Sequence, residues 1–319
     1  MEKTIYLIGG SGFIGTVIAN KLSKNKSIRL QILDKKISKC YPQLSRIVDV
    51  RNYGALEDLL TENSLLIHLA AEHRDNVKPV NLYYDVNVTG AHNICNVARK
   101  KNINKIIFTS SVAVYEKSKK EINELSNLNP FNHYGKSKLQ AEKIFTEWQL
   151  QDPLKRVLVI VRPTVVFGEG NRGNVYNLMR QIYLKRFIMV GKGKNIKSIA
   201  YVKNLSDFIL LTTKDKPGIH IYNYADKPDL SVRQFVNIIK KELGQPETDL
   251  YIPVIIAYIL GYIADFFSFL FRKEMAVSSA RVTKFTMPSI FSRKKNREFN
   301  PHFDLIKAIK KTISYEFKK

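Results

Sequence analysis

Three side chains in the middle of the chain have types and a spacing suited to proton transfer: Ser111, Tyr134 and Lys138. Tyr134 and Lys138 are four residues apart, so they share one face if their segment is a helix. An ammonium beside a phenol favours the phenolate and lowers the tyrosine pKa. A serine at the end of a neighbouring strand can hydrogen-bond the same substrate oxygen. Alone, the tyrosine–lysine pair is typical of any helix surface; beside a redox cofactor, the three residues predict an acid–base centre.

A glycine-rich turn near the amino end predicts that cofactor site. Gly9, Gly12 and Gly15 follow the apolar run 4–8 and precede helical spacing at 17–22. Gly9 permits a tight turn, Gly12 lets a pyrophosphate approach the backbone, and Gly15 lets the helix pack on the strand. The free N–H groups and dipole at the start of a helix attract phosphates. The order strand, glycine turn, helix therefore indicates a dinucleotide site.

Asp34 indicates which dinucleotide is bound. It ends the second apolar run, 28–33, and lies 19 residues after Gly15, where an acid holds the adenosine ribose hydroxyls. Its charge repels a 2′-phosphate, so NAD is favoured, although Lys35 beside it leaves NADP open. Asp49 ends a third run and is expected either to accept the adenine amino group or to cap the helix that follows.

Apolar runs and helical patterns alternate through the first half, which is typical of a doubly wound α/β fold with a parallel sheet. Further strands are expected at 47–51, 65–71, 105–111 and 156–162, and helices at 53–60, 80–101 and 134–150. His68, within an apolar run, is expected in the core. After Gly168 the alternation is less regular, with helices expected at 174–186, 204–213 and 231–243. We predict a Rossmann-type domain over 1–167 and a smaller substrate lobe over 168–319, with some strands returning to the sheet.

Composition points to the cytoplasm and to an anionic partner. The chain has 319 residues, 45% of them hydrophobic, and only two cysteines, Cys40 and Cys95, which fits a reducing compartment. The first strand is expected to begin within four residues, which leaves no room for a signal peptide. The net charge of +24 favours nucleic acid, an acidic membrane or a phosphorylated substrate, unless it reflects a lysine-rich proteome. No nucleic-acid recognition motif accompanies the charge, so nucleic acid is not expected.

The segment 252–271 is strongly apolar and close to the ~20 residues that span a bilayer. Tyr258, Tyr262, Asp265 and Arg272 form one polar stripe at helical steps, and an acid in mid-span costs roughly 2.5–3.5 kcal/mol. An interfacial helix with its apolar face in the lipid is therefore expected; the alternative is a buried helix of the substrate lobe. Residues 272–319 carry 13 basic and 4 acidic residues, a net +9 concentrated at 292–297, and each cation near an anionic leaflet contributes about 1 kcal/mol.

Seven segments, in order, resemble the extended short-chain dehydrogenase/reductase family of sugar epimerases and dehydratases: 9–15, 49–50, 68–71, 87–90, 110–115, 134–138 and 162–168. The resemblance implies that Tyr134 is the catalytic base, Lys138 its electrostatic partner and nicotinamide-ribose ligand, and Ser111 a hydrogen-bond partner. Glu116 departs from the family, which usually has glycine there, and this leaves the shape of the loop after Tyr115 open. The implied NAD-binding residues are Gly9, Gly12, Phe13, Ile14, Gly15, Asp34, Asp49, Val50, Leu69, Ala70, Ala71, Tyr134, Lys138 and Pro163.

A second set of segments resembles the members of this family that act on an N-acetylhexosamine joined by a diphosphate to undecaprenol, in O-antigen and lipopolysaccharide biosynthesis: 71–75, 82–88, 130–134, 171–178 and 226–230. This implies a 4-epimerase at the inner face of the cell membrane. The candidate substrate contacts are His73, Ser111, Arg172, Asn174 and Lys197; no metal ion is expected, and a homodimer is left open. The alternatives are a nucleotide-sugar 4-epimerase, an NAD(P)H-dependent 4-keto reductase and a non-catalytic NAD-binding scaffold.

Overall fold

A computed structural model of the chain describes residues 3–74, 77–247, 250–271, 278–293 and 299–318. Asp75, Arg272 and residues 294–297, which entered the sequence predictions, lie outside these ranges. The strands are β1 (Lys3–Ile8), β2 (Ile28–Asp34), β3 (Ser45–Ile47), β4 (Leu65–His68), β5 (Lys105–Thr109), β6 (Val157–Pro163), β7 (Val165–Phe167), β8 (Met189–Val190), β9 (Ile196–Lys197), β10 (Ile199–Tyr201), β11 (Gly218–Tyr224), β12 (Leu230–Ser231) and β13 (Tyr251–Ile252).

Eight α-helices lie between these strands in the described residues, and three more follow β13. They are α1 (Phe13–Leu22), α2 (Tyr53–Leu59), α3 (Asn81–Tyr84), α4 (Gly90–Lys100), α5 (His133–Leu150), α6 (Asn174–Tyr183), α7 (Val202–Leu211), α8 (Val232–Glu242), α9 (Val254–Phe271), α10 (Ser279–Thr286) and α11 (Leu305–Phe317). The predicted alternation of strand and helix in the first half is confirmed.

A seven-stranded parallel sheet in the order β11-β6-β5-β4-β1-β2-β3 forms the centre of the fold. Apolar side chains cover both of its faces in two separate clusters. β6 is buried along its whole length, as expected for a central parallel strand with helices on both sides. From β1 the chain adds β2 and β3 on one side, and then adds β4, β5, β6 and β11 on the other side. The strand order thus reverses at β1, which places the carboxyl ends of β1 and β4 beside the glycine turn. The predicted doubly wound α/β class is confirmed.

The described residues after 167 supply one strand of the central sheet and most of the strands of three smaller sheets. β11 pairs in parallel with β6 from Gly218 opposite Val157 to Tyr224 opposite Pro163. The remaining strands form two-stranded sheets, β10 with β7, β12 with β9 and β13 with β8. These sheets and helices α6, α8 and α11 enclose a third apolar cluster.

Several element boundaries differ from the predictions for local reasons. β3 covers Ser45–Ile47 rather than 47–51, because the chain turns after the Val48 amide donates to the Asp34 carbonyl oxygen. α2 is capped by Asn52, whose Oδ1 accepts from the Ala55 amide at 3.1 Å, so the predicted capping role of Asp49 is wrong. The long helix expected over 80–101 contains a π-helical turn at Asp85–Thr89.

α9 exposes much of its apolar surface, so the alternative of a buried helix is wrong. Ile255 is 76% exposed and Phe266 63%, whereas Ala257 is buried. The predicted polar stripe instead partly faces the protein: the Tyr258 hydroxyl is 3.1 Å from Thr283 Oγ1, and Asp265 accepts from Ser279. Among the described residues, no helix has the length and hydropathy required to cross a bilayer.

Candidate active site

The glycine turn joins β1 to α1 in the predicted order and leaves its backbone open at one point. Gly9 has φ +79°, and a Cβ there would lie 2.4 Å from the Ala70 nitrogen. A Cβ on Gly15 would lie 2.5 Å from the Gly10 Cα, so α1 packs directly on the turn. A Cβ on Gly12 would meet only the Gly9 carbonyl oxygen, at 3.3 Å. The two tight positions shape the turn, and the open one fits the close approach of a pyrophosphate.

Asp34 lies against this turn, at the end of β2. Its Oδ2 accepts from the Ser11 amide at 3.0 Å, and its Oδ1 accepts from the Lys36 amide at 3.2 Å. The amides of Leu69 and Ala70 both donate to the Ile8 carbonyl oxygen, at 2.7 and 3.0 Å. The carboxyl ends of β1, β2 and β4 thus meet around the turn, an arrangement that fits the adenosine and diphosphate parts of a dinucleotide.

Six other predicted cofactor residues lie around this turn or pack within the protein. A Cβ on Gly168 would lie 3.4 Å from the Phe13 ring, so this ring packs towards the second lobe. Asp49 pairs with Arg51 through two hydrogen bonds of 3.0 and 2.7 Å, which hold the pKa of its carboxyl below the usual value. Val50 is buried against α4, and Pro163 ends β6. Ile14 and Ala71 are partly buried at the start of α1 and after β4.

The predicted catalytic residues are brought together. Ser111 follows β5, and its hydroxyl lies close enough to the phenol of Tyr134 to oppose the rise in the pKa of that phenol. Tyr134 and Lys138 lie one turn apart on α5, whose first turn is fixed because the Asn132 side chain caps the Gly135 amide at 2.8 Å. Lys138 is buried, with its Nζ 4.2 Å from the centre of the Phe108 ring. A Cβ on Gly135 would lie 2.2 Å from the Ala113 carbonyl oxygen, so α5 can approach the serine loop only with glycine there.

The predicted lowering of the Tyr134 pKa by Lys138 is wrong for the protein alone. Burial raises the pKa of the Tyr134 phenol to about 12, and the hydrogen bond from Ser111 only partly opposes it. Burial also lowers the pKa of the Lys138 ammonium to about 7, with a smaller opposing effect of Glu142. A lysine that is itself half-neutral near pH 7 is a weak countercharge, and removal of solvent penalises the phenolate more strongly.

A buried polar network, which sequence reasoning did not find, lies beneath the catalytic face of α5. Arg162 donates to Glu142 from Nε at 2.9 Å and from Nη2 at 2.6 Å, with both side chains buried. Its Nη1 donates to the Tyr115 hydroxyl at 2.7 Å, which in turn donates to Asn223 Oδ1 at 2.7 Å. Burial alone would lower the Arg162 pKa, but the bonds to Glu142 reverse this and raise it. Glu142 is four residues after Lys138 and therefore lies on the same buried face of α5. A charged residue at that position was the signal in the sequence that could have predicted the network.

Asn87 is a second residue whose role was missed. Its Oδ1 accepts from the Glu72 amide at 2.9 Å, and its Nδ2 donates to the Glu72 carbonyl oxygen at 3.1 Å and to Ser137 Oγ at 2.9 Å. The π-helical turn places this side chain inward. It joins the segment after β4 to the catalytic helix.

The predicted substrate residues lie on several elements. His73 is exposed after β4, with Nδ1 3.5 Å from the Ala71 carbonyl oxygen. Asn174 is the first residue of α6, as expected. Arg172 pairs with Glu316 of α11 at 2.9 Å and lies over the Tyr176 ring. Lys197 Nζ donates to the carbonyl oxygens of residues 284 and 287, at 2.8 and 2.5 Å, at the end of α10.

The glycine turn, the acid at the end of β2 and the Ser–Tyr–Lys set define a dinucleotide-dependent enzyme of the short-chain dehydrogenase/reductase class. Residues 5–225 match the model of the NAD dependent epimerase/dehydratase family. The chain belongs to this family. The family is NAD dependent, which confirms NAD as the predicted cofactor.

Individual relatives are similar over most of their length. The chain is 43% identical to the N-acetyl-alpha-D-glucosaminyl-diphospho-ditrans,octacis-undecaprenol 4-epimerase of Escherichia coli O157:H7, over 99% of this chain and 96% of the relative. It is 27% identical to a UDP-glucose 4-epimerase of Vibrio cholerae, over 80% of each chain.

Solved structures share the fold. A UDP-glucose 4-epimerase of Thermotoga maritima, solved with UDP-glucose, aligns with a TM-score of 0.78 at 19% identity over 99% of both chains. MoeE5, solved with UDP-glucose and NAD, aligns with a TM-score of 0.77 at 17% identity over 98% of both.

Proposed function

We propose that this enzyme is a 4-epimerase that interconverts N-acetylglucosamine and N-acetylgalactosamine carried on undecaprenyl diphosphate, in the biosynthesis of O-antigen. The observation that carries this proposal is the 43% identity to an epimerase of that substrate over nearly the whole of both chains. The identity extends through the substrate lobe, where the carrier of the sugar would be recognised. Tyr134, with Ser111 close to its phenol, supplies the acid–base group that the reaction requires.

Each catalytic side chain has one role in this proposal. Tyr134 takes the proton of the sugar C4 hydroxyl and later returns it to the same oxygen. Ser111 holds the phenol and the sugar oxygen in line. Bound NAD supplies the acceptor for the C4 hydride and the positive charge of its oxidised ring. Lys138 adds a buried cation one turn along α5, and Glu142, held by Arg162, favours its charged form.

The raised pKa of Tyr134 fits a phenol that is activated only in the loaded enzyme. In the protein alone, burial holds the phenol in its neutral form. A general base works best with a pKa near the operating pH, so the cations brought together on cofactor binding must lower the pKa of Tyr134. Ionisation of the phenol is thereby coupled to cofactor binding, and the enzyme has a base only when a hydride acceptor is present.

The binding residues remain proposals. The glycine turn and the start of α1 would hold the diphosphate of NAD, through Gly9, Gly12, Phe13, Ile14 and Gly15. Asp34 would hold its adenosine ribose. The rest of the cofactor cleft would be lined by Asp49, Val50, Leu69, Ala70, Ala71 and Pro163. His73, Arg172 and Asn174 would contact the sugar diphosphate. Lys197 would do so only after releasing the two carbonyl oxygens that it now binds.

We also place the enzyme at the inner face of the cell membrane, as a peripheral protein. The exposed apolar side chains of α9 support this, because an exposed apolar patch marks a contact with lipid or with another protein. Because the proposed substrate is linked to a lipid, we favour contact with lipid over contact with another protein. The domain division at 167/168 likewise stands as a proposal, with β11 as the strand that the substrate lobe returns to the sheet.

The test is incubation of the purified protein with lipid-linked and with UDP-linked N-acetylglucosamine, without added cofactor, and with Tyr134→Phe as a control. Product from the lipid-linked sugar alone, lost in Tyr134→Phe, supports the proposal. Product only from the UDP-linked sugar overturns it in favour of a nucleotide-sugar 4-epimerase. In a parallel incubation with added NADPH, turnover that occurs only with NADPH and consumes it indicates a 4-keto reductase and overturns the proposal. Absence of turnover with both sugars overturns the proposal.

A further inference from the structure

We propose that a cationic groove beside the start of α9 binds the phosphate headgroups of anionic phospholipids while the apolar face of α9 enters the bilayer. The groove is lined by Lys192, Lys194, Arg233 and Tyr251 among others, and has a volume of about 730 Å³. This inference rests on the membrane association proposed above. It adds a binding site with a defined ligand chemistry, remote in sequence from the catalytic residues.

The apolar face of α9 consists of exposed side chains on successive turns, among them Ile255, Ile259, Ile263 and Phe266. The opposite side of the helix is fixed to α10. A Cβ on Gly261 would lie 2.9 Å from the Ser279 nitrogen, so the two backbones nearly touch there. A helix in water normally turns its apolar stripe inward; α9 turns it outward, and rotation is prevented by this close packing.

The groove is attached directly to the first turn of α9. β8 and β13 pair in parallel, with Tyr251 opposite Met189. The Gly191 amide then donates to the Ile252 carbonyl oxygen at 2.8 Å, and a Cβ on Gly191 would lie 2.8 Å from the Val254 side chain. Lys192 therefore follows a residue that touches the first residue of α9. The cations and the apolar face form one continuous surface.

The loop that carries the lysines is held in place from α8. The Arg233 amide donates to the Gly193 carbonyl oxygen at 3.0 Å, and Arg233 Nε donates to the Lys192 carbonyl oxygen at 2.8 Å. The acid in the lining, Asp229, accepts from Ser198 Oγ at 2.7 Å and pairs with Lys227 at 2.5 Å. Its charge is thus already compensated, and the groove is cationic.

A neighbouring loop extends the same surface. Residues 184–188 lead into β8, and in this loop Leu184 and Ile188 are exposed beside the exposed side chains of Lys185 and Arg186. Apolar side chains mixed with cations are typical of a surface that lies in the headgroup layer of a membrane.

An anionic bilayer matches both halves of this surface at once. Its phosphates lie directly above its hydrocarbon, as the groove lies directly beside the apolar face. A nucleic acid or a soluble anion would engage the lysines and leave α9 in water. The net charge of +24 adds a long-range attraction to the same leaflet.

The experiment is co-sedimentation of the full chain with vesicles of phosphatidylcholine, with and without phosphatidylglycerol. The test variant is Lys192→Glu with Lys194→Glu. The matched control is Lys24→Glu with Lys26→Glu, which makes the same change of net charge on an exposed loop between α1 and β2. We expect the test variant to bind phosphatidylglycerol vesicles about 30-fold more weakly or worse, from the attraction of each cation to the leaflet. Its binding to neutral vesicles should match the wild type.

A third variant tests the apolar face of α9. A measurement of epimerase activity then distinguishes failure of this proposal from failure of the proposed function. Ile259→Ser with Phe266→Ser should weaken binding to both kinds of vesicle. An equal loss in the lysine control and the test variant would show a general effect of net charge and overturn the groove. A wild-type protein that binds no vesicles would overturn the membrane association. Turnover of detergent-dispersed lipid-linked sugar by the same preparations shows that they are folded and tests the epimerase independently.

Discussion

Two helices of 18 residues, α5 and α9, place their polar and apolar side chains in opposite ways. α5 buries Ser137, Lys138 and Glu142 against the sheet. α9 turns Asp265 towards its neighbour and exposes isoleucine and phenylalanine. Each arrangement is costly in the usual case, because buried charges lose solvation and exposed apolar groups gain contact with water.

The two helices offset these unfavourable free energies in different ways. In α5, protein groups replace water: Arg162 donates two hydrogen bonds to Glu142, and the Ser111 hydroxyl favours the ionised phenol. In α9, the proposed lipid replaces water outside the protein. We therefore expect the polar face of α5 to serve catalysis and the apolar face of α9 to serve docking, and substitutions on the two helices should affect different measurements.

The largest effect is expected on the catalytic face of α5. Tyr134→Phe removes one oxygen, the proposed base, and should lower kcat by about 10²–10⁴-fold, with little change in the melting temperature. Steady-state turnover of the lipid-linked sugar measures this. Tyr315→Phe, at an exposed tyrosine of α11, is the matched control and should be neutral. A variant with wild-type turnover would remove Tyr134 from the mechanism.

The next effect is expected in the network beneath that face. Glu142→Gln leaves the Arg162 charge buried without its countercharge, which costs about 3–5 kcal/mol of unfolding free energy. Urea denaturation measures the change. Asp304→Asn, which breaks an exposed pair with Lys307, should cost less than about 1 kcal/mol. Similar losses in the two variants would contradict the role assigned to burial.

A smaller effect is expected in the pH dependence of stability. Lys138 has a pKa of about 7 in the folded protein, below the ordinary value of 10.5. Between these values the unfolded chain binds more protons, so the stability of NAD-free protein should rise with pH from 7 to 10. The Lys138 contribution has a slope of up to about 1.4 kcal/mol per pH unit.

Lys138→Met should remove this contribution, and urea midpoints at a series of pH values measure it. The pKa of Lys197 is also lowered by burial, to about 8, but Lys197 is present in both proteins, so its contribution cancels. Equal slopes in the wild type and the variant would show that Lys138 is not buried as a neutral amine.

The smallest effects are expected on α9. Asp265→Ala removes two hydrogen bonds from Ser279 and should cost about 1 kcal/mol. Ile259→Ser on the exposed side should change stability by less than about 0.5 kcal/mol. Thermal unfolding of the two variants in the absence of lipid compares them. A larger loss in Ile259→Ser would mean that this face is covered by protein in solution.

Features set by local spacing could be read from the sequence. The glycine turn, the acid after β2 and the four-residue step from Tyr134 to Lys138 each depend on neighbouring residues within one or two elements. The structure brings Asp34 to the Ser11 amide and Ser111 to Tyr134, as this logic requires.

Features set by distant contacts could not be read in this way. The π-helical turn depends on Asn87 finding the Glu72 backbone, and the position of Lys197 depends on carbonyl groups about 90 residues later. The prediction of a lowered Tyr134 pKa was wrong for a related reason. The charge of a neighbouring residue is visible in a sequence, but the loss of solvent around a phenol is a property of the whole fold.

The return of β11 to the sheet has a consequence for how the protein is made. On the ribosome, β6 emerges about 55 residues before β11, and during that interval its outer edge has no strand to pair with. An open edge is prone to mispairing with other chains. Asn223, beside the last pair of that strand, also accepts a hydrogen bond from Tyr115 in the loop after Ser111. The active site is therefore completed late in synthesis, and a fragment that ends at residue 167 would lack both the last strand and the support of that loop.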